Sequence, residues 1–216
     1  MRGLDAEEVR AVVLTGAGRA FSAGVDLDRV ADGGPGYVTE FLPALVRAFR
    51  AVFDLGKPVV AAINGHAIAG GCVLAAACDH RIMATGAGTI GVPELYVGVP
   101  FPGAAFEIMR YALGPVDARR AILGGVNHPP AQALAHGYVD ELAAPEDLLD
   151  RARTVAGRLA AAIPADTFRY TKRQLHAEAN RRMADDEPVL ELWQAAAADG
   201  LVRAFMERTV RARRNP

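Results

Sequence analysis

The chain has 216 residues, 51% of them hydrophobic and 23% charged, with a formal net charge of −1. That length fits one domain with room for an appended helical part, and the apolar content excludes a disordered chain. The near-zero charge excludes a global field that would draw in nucleic acid or a membrane surface.

In chain order, residues 9–14 read as a short apolar strand and residues 15–26 as a glycine-punctuated loop. The Ala31-Asp32-Gly33-Gly34-Pro35-Gly36 stretch reads as a flexible loop. Phe41, Leu45, Phe49 and Val52 then recur at helical spacing over residues 38–53, until Lys57-Pro58 breaks the pattern. Residues 59–63 read as a buried strand, 68–78 as a helix packed on all sides, and 80–84 as a strand. Short helices are expected over 105–113 and 116–123. A further helix over 131–135 is ended by Gly137, and residues 138–142 form a strand. From Pro145 the pattern is helical, with breaks at Pro164 and Pro188. The result is an α/β core over residues 1–142 and a helical region over 143–216.

No apolar run approaches the roughly 18 residues of a membrane span, and Met1 to Asp5 lead into no signal segment, so the chain reads as cytoplasmic. The Arg211-Ala212-Arg213-Arg214 run reads as a solvated tail. Cys72 and Cys78 point to different faces of their helix, so buried free thiols are expected rather than a disulfide. No Cys/His cluster suggests a metal, and Gly16-Ala17-Gly18 lacks the third glycine of a dinucleotide fingerprint.

Two small-residue segments carry the chemistry. Ala20-Phe21-Ser22-Ala23-Gly24-Val25-Asp26-Leu27 follows the first strand, and Asn64-Gly65-His66-Ala67-Ile68-Ala69-Gly70-Gly71-Cys72 follows the second. Small residues let a ligand approach the backbone, and two N–H groups aimed at one oxygen form an oxyanion hole. Glu94, in Gly91-Val92-Pro93-Glu94-Leu95, is a carboxylate able to move a proton beside them. Taken alone, the glycines would equally serve helix–strand packing, Asp26 would equally cap a helix, and Glu94 would equally be a surface residue after proline.

This ordered set, with Lys57-Pro58-Val59-Val60-Ala61-Ala62-Ile63-Asn64-Gly65 and the later Gly98, resembles the crotonase superfamily, the enoyl-CoA hydratases and isomerases. The resemblance implies a spiral of β-β-α turns with C-terminal helices that build a homotrimer or hexamer. It also implies an earlier turn before residue 9; without it, a sheet edge is left unpaired. By the same resemblance the Ala23 and Gly70 amides form the oxyanion hole and Glu94 is the catalytic base. Ala20, Ser22, Gly24, Asp26, Leu27, Gly71 and Val73 line an acyl-CoA pocket. Coenzyme A enters as part of the thioester substrate, and no separate cofactor is implied.

Val73 departs from the hydratase pattern, which carries a second glutamate at this place. Two carboxylates suit water addition, whereas one suffices to shift a double bond from C3 to C2, and the stretch 69–83 resembles single-glutamate Δ3,Δ2-enoyl-CoA isomerases. Isomerisation is therefore expected; hydration, a related crotonase reaction and acyl-CoA binding without turnover stay open. Glu107 is the candidate to replace the missing carboxylate, although a helix-surface position is the simpler expectation. Asp28, Asp32 and Glu40 are weaker candidates. His66 reads as structural, and Trp193, Phe205 and Met206 as packing residues of the C-terminal helices.

Overall fold

The computed structural model describes residues 8–183 and 187–214, without the side chains of 210–214. Strands come in pairs, a longer one feeding a shorter one. β1 (Val12–Thr15) leads to β2 (Ala20–Ser22), β3 (Val59–Ile63) to β4 (His66–Ile68), and β5 (His80–Ala84) to β6 (Ile90–Gly91). After each pair the chain turns into helix: α1 (Leu27–Phe53), α2 (Gly70–Ala76), then α3 (Glu94–Val97) with α4 (Gly103–Gly124). The longer strands form a parallel sheet in the order β1-β3-β5-β7, closed by β7 (Glu141–Ala143). The shorter ones form a second parallel sheet, β2-β4-β6. The expected spiral of β-β-α turns is thus present. Among the described residues, β1 stands at the edge of its sheet.

β3 is buried along its whole length, as a central parallel strand covered on both faces must be. Val59, Ala61 and Ile63 face one core, shared with Phe53, Val73 and Ile108. Val60 and Ala62 face a second core against Leu148, Ala152 and Val155 of α6 (Leu148–Ala162). A third core joins α1 to α8 (Glu187–Ala198) and α9 (Leu201–Arg214): Val30, Val38 and Leu42 meet Trp193, Ala196 and Val202. Phe205 and Met206 pack at its margin, in keeping with their expected role.

The structure corrects several expectations. Residues 31–36 are not a loop: they lie within α1, which breaks only at Gly34 (φ 58°, ψ −157°) and resumes at Pro35. Proline at a helix start loses no hydrogen bond, so one glycine suffices to change direction. The helices expected over 105–113 and 116–123 are both present, as two stretches of α4 separated at Gly114 (φ 75°, ψ 164°). Pro188 sits in the first turn of α8, where its missing N–H is harmless. The last strand is Glu141–Ala143 rather than 138–142, because the Tyr138 amide donates to the Ala133 carbonyl and closes α5 (Pro130–Ala135). The short strands β2, β4 and β6, at two or three residues each, carry too little periodicity to be read from sequence. The Arg211–Arg214 run continues α9, and its side chains lie outside the described residues. Cys72 and Cys78 are free and buried, as expected.

One buried ion pair ties α7 (Ala165–Arg182) to the sheet. Lys172 Nζ donates to Asp79 Oδ2 at 2.8 Å, and the Val59 amide donates to the same oxygen at 2.8 Å. The Lys172 side chain is 5% exposed. Burial pushes the Asp79 carboxyl up even with Lys172 beside it. Lys172→Met should therefore lower stability at pH 7 by about 3–5 kcal/mol, the usual consequence of stranding one partner of a buried pair. Urea unfolding at pH 7 and at pH 4 checks this; the loss should shrink at pH 4, where Asp79 can take up a proton.

Candidate active site

β2 and β4 lie side by side, with Ala20 opposite His66 and Ser22 opposite Ala67, so the two small-residue segments leave the second sheet together. Asn64 fixes the turn before them: its Oδ1 accepts from the Gly16 amide at 3.0 Å, and its Nδ2 donates to the Gly18 carbonyl at 3.0 Å. Gly71 is where the segments touch. A Cβ there would stand 2.1 Å from the Ser22 carbonyl oxygen, closer than real Cβ contacts come. Gly24, at φ +93°, sits against Ile68 and Ala69, and a Cβ on it would be 3.7 Å from the Gly70 nitrogen.

Ala23 is exposed just past β2, and Gly70 is the first residue of α2, where helical N–H groups have no intrahelical acceptor. Among the described residues, no turn, loop or side-chain acceptor is paired with either amide. Ala69, immediately before Gly70, has φ 54° and ψ −124° and is the one non-glycine with positive φ among the described residues. Such strain is worth roughly 1–3 kcal/mol and gathers at functional sites. Here it turns the chain sharply from β4 into α2 and sets the direction of the Gly70 amide.

Glu94 reaches the same place through β6. Gly91 pairs with Ile68, and its carbonyl accepts from the Ala69 amide at 2.8 Å. Three residues later Glu94 opens α3, 9% exposed, with Oε2 buried and lacking a hydrogen-bond partner among the described residues. Burial pushes its carboxyl up to about 7, while a hydrogen bond from its own backbone opposes the shift. Glu94 and α2 are close enough that its charge acts on the Cys72 thiol, which burial already pushes well above the ordinary thiol range. Gly24, next to Ala23, thus lies against the Gly70 nitrogen, and Glu94 lies within electrostatic reach of Cys72 on the helix that Gly70 opens.

The remaining predicted residues divide. Asp26 caps α1, accepting from the Arg29 amide at 3.1 Å, and Leu27 packs toward the third core. Ser22 Oγ accepts from the Gly24 amide at 3.4 Å, and Ala20 is held by strand pairing. Val73 is 1% exposed in the first core, so an apolar side chain stands there. Glu107 is not at the helix surface as expected; its side chain is 9% exposed and pairs with Arg110 at 3.4 Å, an i,i+3 contact on α4. His66 Nδ1 lies 3.1 Å from Thr89 Oγ1 and accepts from the Thr89 amide at 3.3 Å, a tie between adjacent segments. Asp32 pairs with Arg203. The clamping roles of Asn64 and Gly91 emerge only from the register between the short strands.

The model of the enoyl-CoA hydratase/isomerase family matches residues 2–192. The chain belongs to that family. A Thermus thermophilus protein named "Putative enoyl-CoA hydratase" is 36% identical over 208 residues, covering 93% of this chain and 81% of that protein. Rat mitochondrial enoyl-CoA delta isomerase 1 is 33% identical over 154 residues, 70% of this chain and 53% of its own length. This chain spans 61% of a carnitinyl-CoA dehydratase from Salmonella arizonae at 36% identity. Among solved structures, human mitochondrial delta3-delta2-enoyl-CoA isomerase superposes with a TM-score of 0.86 at 27% identity, covering 97% of this chain and 83% of that one. A probable enoyl-CoA hydratase of Mycobacterium tuberculosis gives 0.76 at 32% identity, covering 94% and 80%. The same mycobacterial protein is also described as an enoyl-CoA isomerase, so the names alone do not divide the two reactions. Among the described residues, no helix of this family member is long and apolar enough to cross a membrane.

Proposed function

We propose that this member of the enoyl-CoA hydratase/isomerase family is a Δ3,Δ2-enoyl-CoA isomerase, and that Ala23, Gly70 and Glu94 carry the reaction. The Glu94 carboxylate removes a proton from C2 of a 3-enoyl-CoA. The electron pair moves onto the thioester oxygen, where the Ala23 and Gly70 amides stabilise the enolate. The same proton returns at C4, the double bond settles between C2 and C3, and Glu94 is again a carboxylate. A carboxyl titrating near 7 is matched to giving and taking a proton at neutral pH.

One observation carries the choice of reaction. Glu94 is a buried acid, and the place where the resemblance puts a hydratase's second glutamate holds Val73, buried in the core. A buried valine neither positions a water nor exchanges its protons. The reading also places the acyl chain in a cavity of about 430 Å³ lined by Leu42, Val46, Pro102 and Ala104. Val46 lies one helical turn from Phe49, whose ring faces the Gly70 Cα. The CoA portion is assigned to the Ala20–Leu27 segment, and the active assembly is read as a homotrimer or hexamer. Mass analysis of the product from a 3-enoyl-CoA tests the reaction. An unchanged mass with a conjugated double bond supports it; a gain of one water contradicts it.

Glu107 offers the specific alternative, because it is buried rather than exposed. Its pairing with Arg110 supports a structural role. Glu107→Gln is accordingly expected to keep isomerase turnover within about threefold of the parent, as a residue outside the chemistry should. A loss as large as that from Glu94→Gln would make Glu107 the second acid of a hydratase.

A further inference from the structure

The segment that carries Glu94 continues through Val97, Gly98, Val99 and Pro100 before α4 begins. Val97 and Val99 are buried in the third core, against the C-terminal helices rather than the sheet. The Val99 amide donates back to the Glu94 carbonyl at 3.4 Å. At the far end of this span, Trp193 Nε1 donates to the Pro100 carbonyl at 2.9 Å, and Trp193 itself is 3% exposed. Its ring leans on Phe41 of α1, with centroids 6.2 Å apart. Leu201, at the start of α9, lies over the Gly98 Cα. Further bonds hold the same helices to α1: Gln194 Nε2 donates to Thr39 Oγ1 at 2.9 Å, and Arg203 Nη2 to Asp32 Oδ1 at 2.8 Å.

We infer that Trp193 is a positioning residue for Glu94, clamping the 97–100 segment from α8 so that the carboxyl stays in its dry pocket. This deepens the role proposed for Glu94 and rests on it. Trp193 touches none of the reacting groups. It fixes the outer end of a short span whose inner end is the acid. The Cys72 thiol on α2 is the titratable group that feels the Glu94 charge, and burial keeps it protonated. Desolvation is the largest cause of the Glu94 shift. Loosening the clamp admits water, and water favours the carboxylate.

Trp193→Phe keeps an aromatic ring in the core and removes the N–H donor. Urea unfolding of this variant and of Trp193→Phe/Glu94→Gln across pH 4 to 9, beside the same pair in the parent, isolates the Glu94 titration without any activity assay. The midpoint is expected to fall from about 7 toward the ordinary carboxylate range by roughly one unit. With a 3-enoyl-CoA, kcat should drop about tenfold while KM changes less than twofold, and the pH–rate midpoint should move with the titration. Val202→Ala, in the same core but off Pro100, should lower stability and leave the Glu94 midpoint in place. An unmoved midpoint in Trp193→Phe overturns the clamp even if the variant is less stable. A moved midpoint with no isomerase activity in any form upholds the clamp and removes the proposed reaction.

Discussion

Replacing Glu94 by Gln is expected to lower turnover of a 3-enoyl-CoA by about 10³- to 10⁴-fold, the upper range for a general base, because the proposed reaction moves its proton through Glu94 alone. KM should change little, since the amide retains the shape of the acid. The pH dependence follows from the carboxyl at about 7. As a base it acts deprotonated, so the rate should rise tenfold per unit below that value and level off above it. Stability runs the other way. The folded state holds a proton on Glu94 between its ordinary 4.5 and about 7, while the unfolded state does not, so stability falls as pH rises through that window. At pH 8 the buried charge should destabilise by about 3 kcal/mol, and Glu94→Gln should recover a good part of this. A variant that is much slower yet more stable at pH 8, by kinetics and urea unfolding together, is the signature of a strained functional acid. A structural glutamate would lose stability instead.

Gly71→Ala is the second large effect. The new Cβ would meet the Ser22 carbonyl oxygen at 2.1 Å, and backbone on both sides must move to admit it. Overpacking of this kind typically destabilises by about 1–3 kcal/mol. The displacement falls on the contact between the two segments proposed to supply the oxyanion amides. A shift of 1 Å there should reduce kcat by at least about 10²-fold, as loss of one donor does. Gly70→Ala makes the contrast: its Cβ would find Phe49 Cζ at 3.4 Å and nothing nearer, so the fold should survive nearly unchanged. Thermal unfolding and kcat measured on both variants separate packing from chemistry. Equal behaviour of the two would mean that the close contact at Gly71 does not set the geometry of the site.

The long apolar segments and the small-residue motifs were legible because each follows one simple rule. β3 was read to the residue from an apolar run bounded by Lys57-Pro58 and Asn64-Gly65, and β5 likewise from the run after Asp79. The candidate site was legible as a set of residue types at fixed spacing. Its burial was less so: Glu94 and Glu107 are both inside, one with an Oε2 that lacks a hydrogen-bond partner among the described residues and one paired with Arg110. That depends on β6 joining β4, and on α4 turning its Glu107 face inward. The Gly33-Gly34-Pro35 run looked like a loop because turn residues were read together, although a single left-handed glycine carries the whole bend. The Trp193–Pro100 bond spans 93 residues, and no periodicity could show it.

The most direct test of the account is to give the purified protein a 3-enoyl-CoA and, separately, a 2-enoyl-CoA, and to follow the absorbance of the conjugated thioester. The signal should rise with the first substrate, Glu94→Gln should abolish that rise, and the second substrate should lose no signal. A falling signal with the 2-enoyl-CoA would show that water is added despite Val73, and would contradict a single-carboxylate isomerase.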